Sequence, residues 1–248
     1  MSDFNRGYAR QIPAERADMS VDAGLRTFML GVYNKMALGL VLSAGLAFLT
    51  SSFPPVRDML FTVANGRVGY SILGMVVAFA PLAVLLFSGF AIKNQSPKTA
   101  SLTYWTVVSL IGASLGVVAL RYTGTSIAST FLITATAFGG LSLFGYTTKK
   151  NLTGMGSFLI MGVWGLLIAG LVNIFLQSSM MQLMISALGV LIFAGLTAYD
   201  TQRLKMQYYD LGGDQAAMGV ATSYGALSLY LDFINMFQFL LALFGDRR

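Results

Sequence analysis

Seven long apolar segments dominate the chain. They run at roughly 28–50, 68–91, 101–120, 125–146, 154–176, 180–202 and 218–244, with short polar connections between them. A helix needs about 20 mostly apolar residues to cross the hydrocarbon core of a bilayer, and each segment has about that length. The segments are apolar on all sides rather than alternating, which argues against a β-barrel. We therefore predict an all-α membrane protein with seven transmembrane helices in the lipid bilayer.

The composition fits one membrane domain and a short polar tail. Of the 248 residues, 56% are hydrophobic and only 10% are charged, whereas soluble domains carry about a quarter charged residues. Residues 1–27 are polar and show no cleavable signal peptide, so they are predicted to form a tail before a membrane domain over 28–248. The net charge of +6 comes from single or paired basic residues beside the apolar segments. That distribution is typical of membrane flanks and does not indicate a nucleic-acid partner.

The distribution of basic residues predicts a cytoplasmic N-terminus, because short cytoplasmic loops carry the excess of Lys and Arg. Ten basic residues fall on the side of the tail: Arg6, Arg10, Arg16, Arg26, Lys93, Lys98, Lys149, Lys150, Arg203 and Lys205. Three fall on the other side (Arg57, Arg67 and Arg121), or five if Arg247 and Arg248 also emerge there. The side of the C-terminus stays open, since it depends on whether the last segment crosses completely.

The absence of cysteine and histidine excludes several kinds of site. Disulfides, thiolate metal sites, Ser-His-Asp triads and imidazole proton shuttles all need one of these residues. Residues 112–116 (GASLG) match the G-x-S-x-G nucleophile elbow, but they lie within an apolar segment with no preceding strand. We interpret them as a G-x-x-x-G step that lets two helices approach closely. Neither an enzyme nor a cofactor is predicted.

Two aspartates lie inside apolar segments, Asp200 in the sixth and Asp232 in the seventh. A carboxylate at membrane depth is costly and commonly marks an ion or proton pathway. Asp200 has a basic helical neighbour in Arg203, with which it could simply pair. Asp232 has none, and it lies about 14 residues into its segment, or roughly 20 Å deep.

The seventh segment is the least apolar of the seven, so we expect it at the centre of the six others. A re-entrant helix is the alternative. The last two segments form an antiparallel hairpin, in which facing residues are about equally far from the loop. Positions 200 and 232 are nearly so, which allows the two carboxyls to meet. They could not both ionise at low cost and would share a proton. Loss of the shared proton would leave two carboxylates that repel each other, and such a pair suits a hard cation such as calcium. Lys35 in the first segment is expected to snorkel towards the inner surface, the alternative being a counter-ion to an aspartate.

Two stretches near the end of the chain resemble the transmembrane Bax-inhibitor-motif family. They are residues 197–203 (TAYDTQR) and 228–237 (SLYLDFINMF), followed by 240–245 (LLALFG) before a basic terminus. The resemblance implies a seven-helix fold with a central last helix. It also implies a pH-sensitive calcium leak in which Asp200 and Asp232 are the gate, the pH sensor and transient calcium ligands. Calcium is then the permeant ion and not a cofactor.

The supporting residues predicted for this site are Arg203, Asn235, Tyr199 and Lys93. Lys93, in the stretch 90–95 (FAIKNQ), stands where some family members carry an arginine that contacts the aspartates. The predicted connection 203–217 resembles the bacterial branch, which implies the bacterial inner membrane.

Two alternatives to the leak channel stay open at this point. Bacterial relatives include a modulator of the FtsH-type membrane AAA protease, so the chain could be a modulator or partner of such a protease, with the polar tail as the contact. Proton-coupled transport is a third possibility. The sequence does not indicate an oligomeric state.

Overall fold

Residues 22–64, 67–90 and 96–248 are described by the computed structural model. Its helices are α1 (Ala23–Ser52), α2 (Pro54–Leu60), α3 (Ile72–Phe90), α4 (Pro97–Ser114), α5 (Gly116–Arg121), α6 (Gly124–Thr147), α7 (Thr153–Leu176), α8 (Ser179–Asp210) and α9 (Gln215–Phe244). Two short antiparallel strands, β1 (Phe61–Ala64) and β2 (Arg67–Tyr70), lie between α2 and α3. Within these ranges, seven helical spans are long and apolar enough to cross a membrane, with α4 and α5 counting as one span. The prediction of an all-α membrane protein with seven spanning helices is confirmed.

Side-chain caps fix where the helices begin. The Asp22 carboxylate accepts a hydrogen bond from the backbone N–H of Leu25 at 2.9 Å, so α1 begins at Ala23. Residues 23–27 of the predicted tail are therefore helical and belong to α1. The rest of the tail, residues 1–21, lies outside the described residues, so the AAA protease contact assigned to it stays a prediction.

The connection between α8 and α9 is much shorter than the predicted 203–217. It comprises only residues 211–214, with Gly212 and Gly213 at φ of 57° and 87°, a conformation that favours glycine. The prediction took the polar residues after 202 as a loop, but α8 continues through them and buries Leu204 and Lys205. The last two spanning helices are consequently the long sides of one hairpin.

The predicted connection between the first two apolar segments was also wrong in detail. It was expected to be irregular over 51–67, with a helix starting at 68. Instead it contains α2 and β1, and β2 occupies the first residues assigned to the second helix. The strands pair Phe61 opposite Tyr70, and the Tyr70 hydroxyl donates to the Ser114 carbonyl of α4 at 3.1 Å. These contacts hold the hairpin against the helix bundle.

The most buried span is α9, as its polar side chains require. Over its most apolar stretch 56% of the residues are buried, compared with 11–33% in the other six spans. It packs against α1, α4, α6 and α8, while α3 packs mainly on α4 and α7 mainly on α8. The further expectation that all six other spans surround it is not confirmed by these contacts.

The last helix runs from one end of the bundle to the other. At one end of the bundle, the Tyr208 hydroxyl of α8 donates to the carboxylate of Asp22, which precedes α1, at 3.4 Å. At the other end, the Arg248 N–H donates to the Arg121 carbonyl and the Thr123 N–H donates to the Asp246 carbonyl, at 2.9 and 3.1 Å. The residues after α9 therefore lie opposite the start of α1. We call the end with Asp22 inner and the end with Arg121 outer, following the predicted orientation.

The G-x-x-x-G step in α4 and α5 is a packing contact. A Cβ on Gly112 would lie 2.6 Å from the Cα of Ser43 in α1, closer than real Cβ atoms come. The Ser114 hydroxyl, which would be the nucleophile of a hydrolase, donates to the Ile111 carbonyl of its own helix at 2.8 Å. The interpretation of residues 112–116 as a helix-packing step is confirmed.

Candidate functional site

Asp232 lies in the middle of α9 and is only 4% exposed. It sits among buried neighbours on its own helix, including Leu229 and Phe233. Within the described part of the chain, its Oδ2 atom has no hydrogen-bond partner. A buried charge without a partner is strongly unfavourable, so the protonation state of this carboxyl and its nearest charges decide its behaviour.

Asp200 lies in α8, is 7% exposed, and pairs with Arg203 one turn further along the helix. The Nη2 atom of Arg203 is 3.3 Å from Asp200 Oδ1 and donates to the Ser228 hydroxyl of α9 at 3.1 Å. The guanidinium carbon lies 5.7 Å from the centre of the Tyr199 ring. The local ion pair considered from the sequence is thus present, and the same guanidinium also connects α8 to α9.

The register of the α8–α9 hairpin places the two aspartates on facing sides. Arg203 meets Ser228, and Asp232 lies one helical turn beyond Ser228, just as Asp200 lies about one turn before Arg203. The charges of both Asp200 and Arg203 act on the Asp232 carboxyl. Two buried aspartates thus lie on the facing sides of α8 and α9, with the exposed Arg203 between Asp200 and Ser228. We call Asp200, Asp232 and Arg203 the carboxyl cluster.

The other predicted supporting residues have different surroundings. The side-chain amide of Asn235 donates to the Leu231 carbonyl of its own helix at 2.8 Å, so this bond contributes nothing to the carboxyl cluster. The Tyr199 ring packs against α7 at Gly156, where a Cβ would overlap it. Lys93 lies outside the described residues.

Two neighbours of Asp200 that were not singled out from the sequence also have specific contacts. Gln202 donates to the Lys150 carbonyl and accepts from the Leu152 N–H, both at 2.8 Å, and so ties the α6–α7 connection to α8. Thr201 and the Tyr33 hydroxyl of α1 are 3.3 Å apart. Both residues directly follow Asp200 in a polar run at membrane depth, and this position could have identified them from the sequence.

Lys35 is bound inside the bundle. Its ammonium donates to Ser101 of α4 at 2.9 Å and to Ser223 of α9 at 2.8 Å, and lies 5.3 Å from the centre of the Tyr104 ring. Lys35 is only partly buried, and Ser101 lies in the second turn of α4 at its inner end, so these bonds do not contradict the predicted snorkelling. The alternative of a counter-ion to an aspartate is not found, since none of the ion pairs in the described ranges includes Lys35.

Two polar cavities approach the carboxyl cluster from opposite ends. The inner one, of about 580 Å³, lies between α3, α8 and α9 and is lined by Arg203, Ser228 and Asp210 among others. The outer one, of about 1030 Å³, lies between α5, α7, α8 and α9. On the outer side, the ring of Phe239, which lines the outer cavity, packs 5.9 Å from Phe193 of α8, centre to centre.

Comparison with known proteins identifies the family. The profile described as inhibitor of apoptosis-promoting Bax1 matches residues 25–248, nearly the whole chain. The chain belongs to the Bax inhibitor family. This confirms the resemblance drawn from residues 197–203 and 228–237.

Bacterial relatives resemble this Bax inhibitor family member over almost their full length. An uncharacterized protein of Caulobacter vibrioides is 69% identical across 100% of both chains. The protein RP147 of Rickettsia prowazekii is 41% identical over 97% of this chain and 98% of its own. The inner membrane protein YbhL of Escherichia coli is 40% identical over 91% of this chain and 94% of its own. These relatives and the seven apolar spans support an integral membrane protein, and no enzymatic role is shown for the family members compared.

Proposed function

We propose that this Bax inhibitor family member is a pH-sensitive, calcium-permeable leak channel gated by Asp200 and Asp232. One observation carries the proposal. The Asp232 carboxyl is buried in the middle of a spanning helix with one oxygen unpaired, and its nearest charged neighbours are another carboxylate and its arginine. A structural role would be better served by an apolar residue, because a buried carboxyl costs several kcal/mol without full pairing.

The proposed gating step is the loss of the shared proton. While the carboxyls of Asp200 and Asp232 hold one proton between them, α8 and α9 stay packed. When the proton leaves, two negative charges repel each other. For charges about 4 Å apart at an effective dielectric constant near 20, the repulsion is about 4 kcal/mol. A free energy of that size changes a two-state equilibrium roughly a thousandfold, which is enough to open a closed helix pair.

The proposed route runs from the inner cavity, past the carboxyl cluster and along the facing sides of α8 and α9 towards their outer end. From the inner cavity an ion passes Arg203, which must leave Asp200 before a cation can take its place. It then passes Asn235 and the ring of Phe239, which has to swing away from Phe193. In this account the packed rings keep the outer half closed until α8 and α9 separate.

Calcium suits this route because it prefers carboxylate, carbonyl and water oxygens. It takes six to eight such ligands, and two carboxylates supply only part of that number. In the described ranges no group of three or more acidic, histidine or cysteine side chains could hold a metal ion. A calcium ion at the pair would therefore keep several water molecules and bind briefly, as a permeant ion must.

The test is calcium flux in proteoliposomes across pH, measured with a trapped calcium-sensitive dye. Wild type is expected to pass more calcium as pH rises. Asp232→Asn and Asp200→Asn are each expected to flatten this dependence, because neither leaves two carboxyls to share a proton. Asp58→Asn is the matched control, since Asp58 pairs with Arg57 on the exposed helix α2, far along the chain from the site. Liposomes that show no calcium signal at any pH, or aspartate variants with an unchanged profile, would reject the proposal.

A further inference from the structure

The outer cavity has a chemistry that a cation route does not explain. It lies where α7 ends and α8 begins, beside the last turns of α9. Its lining includes the arginines Arg121 and Arg247 and the amide side chains of Gln177, Gln182 and Gln238. Guanidinium and amide groups donate hydrogen bonds, so most of the polar lining suits an acceptor-rich ligand.

Among the residues that the structure describes, no carboxylate side chain lines this cavity. The acidic residue next to Arg247 in sequence is Asp246, and its carboxylate accepts from the Ser126 hydroxyl of α6 at 3.2 Å. The Asp246 N–H also donates to that hydroxyl, at 3.0 Å. Asp246 is bonded to α6, and neither Arg121 nor Arg247 takes part in the ion pairs found among the described residues. The cavity is therefore positively charged.

Arg121 is oriented by the β-hairpin. Its Nε and Nη2 atoms donate to the Val68 carbonyl at 3.0 and 2.7 Å. An arginine has five N–H donors in a planar fork, so these bonds fix the guanidinium while leaving donors for a ligand. A fixed fork is the geometry that best recognises phosphate or carboxylate.

The turn at the end of α7 brings an amide to the cavity. Gln177 adopts the left-handed conformation, with φ of 48°, where glycine or asparagine is usual. Its N–H donates to the Asn173 carbonyl at 2.8 Å, and the Ser178 N–H donates to the Asn173 side chain at 3.1 Å. Glycine would close this turn with less strain, but it would remove an amide from the lining.

One wall of the cavity continues onto the lipid-facing surface. Ile174 and Leu183 line the cavity and are 65% and 56% exposed. Their neighbours Phe175, Leu176 and Met180 are exposed as well. The cavity thus lies between a charged, amide-rich rim and an apolar helix surface, at the end of α7 and the start of α8. A ligand that fits both parts has an anionic head and apolar chains.

We infer that the outer cavity binds the phosphate headgroup of an anionic phospholipid from the adjacent leaflet. Arg121 and Arg247 pair with the phosphate, the amide of Gln238 donates to its ester and glycerol oxygens, and the acyl chains lie on Ile174 and Leu183. This site depends only on the outer cavity, and it holds whether or not calcium permeates.

The experiment is native mass spectrometry of the full chain in detergent, titrated with phosphatidylglycerol or with phosphatidylcholine of identical acyl chains. We expect tighter binding of phosphatidylglycerol. Arg247→Gln should weaken that binding roughly tenfold, since one charge-assisted contact is lost. Gln238→Leu, a second exposed change, should weaken it severalfold. Arg57→Gln is the matched control, because it removes one positive charge from the same end of the bundle, outside the cavity.

Three results would overturn the inference. Equal affinity for the two lipids would show that charge is not recognised. Equal weakening by Arg57→Gln would show a general surface attraction and no defined site. A third arm titrates inorganic phosphate alone, and if it binds as tightly as the lipid, the ligand is a soluble anion and the assignment to a phospholipid is wrong.

Discussion

Replacing Arg203 tests whether the buried charges control gating. In the structure its guanidinium lies 3.3 Å from the Asp200 carboxylate and contacts Ser228 across the helix pair. Two unit charges at that separation attract by about 1.3 kcal/mol in bulk water and about 5 kcal/mol at an effective dielectric constant of 20. The Arg203 side chain is 44% exposed, so solvent screening reduces the effect to about 1–2 kcal/mol.

Arg203→Gln removes this positive charge and so disfavours the doubly ionised pair. A change of 1.36 kcal/mol corresponds to one pH unit, so the midpoint of the calcium flux profile should move to higher pH by about one unit. The assay is the proteoliposome flux series, with wild type and variant at equal protein density. Arg57→Gln, which removes an exposed guanidinium 2.9 Å from Asp58, is the control and should leave the midpoint in place.

The opposite result would refute this account of the site. If the Arg203→Gln midpoint stayed unchanged, the Arg203 charge would not act on the gate. If it moved to lower pH, Arg203 would act mainly as a steric latch, and its removal would open the channel irrespective of charge.

Two further predictions concern stability and are measured by thermal unfolding in detergent. Gln202→Leu should lower the free energy of unfolding by about 2–4 kcal/mol, because it leaves a backbone N–H and a carbonyl of the α6–α7 connection without partners. The control Gln215→Leu, at an exposed position, should change it little. Similar losses in both variants would refute the role of Gln202. Gly112→Val should lower the free energy of unfolding by about 1–3 kcal/mol or more, because the new side chain would meet the backbone at Ser43. The control Gly139→Val, at a position with open space around it, should be nearly neutral. A neutral Gly112 variant would contradict the close packing of α1 and α4.

The seven spans could be predicted from the sequence because lipid imposes a minimum apolar length on each of them. Where the chain leaves the membrane, that constraint ends. The polar run after Gln202 was therefore taken as a loop, although it forms about two further turns of α8 that bury Lys205. The short pairing of Phe61 with Tyr70 was missed for the same reason, since four-residue strands beside a membrane carry little periodic signal.

The candidate site was partly accessible to the same reasoning. Asp232 and Asp200 stood out because carboxylates are rare and costly at membrane depth, and the hairpin register allowed them to meet. The ion pair of Asp200 with Arg203 followed from helical spacing. The bonds of Lys35 to Ser101 and Ser223 could not be derived, because they depend on how three separate helices pack. Asn235 was assigned to the site for its polarity, although its amide can bond within its own helix to the Leu231 carbonyl.

The most direct test of the account is the infrared absorption of protonated carboxyl groups, followed across pH in the purified full chain. The account predicts one buried carboxylic-acid band that disappears over the pH range in which calcium flux rises. It also predicts that the band shifts or disappears in Asp232→Asn and Asp200→Asn but persists in Asp58→Asn. A band that keeps the same pH profile in both buried-site variants, or no such band at any pH where the channel is closed, would contradict the claim that these two carboxyls share a proton.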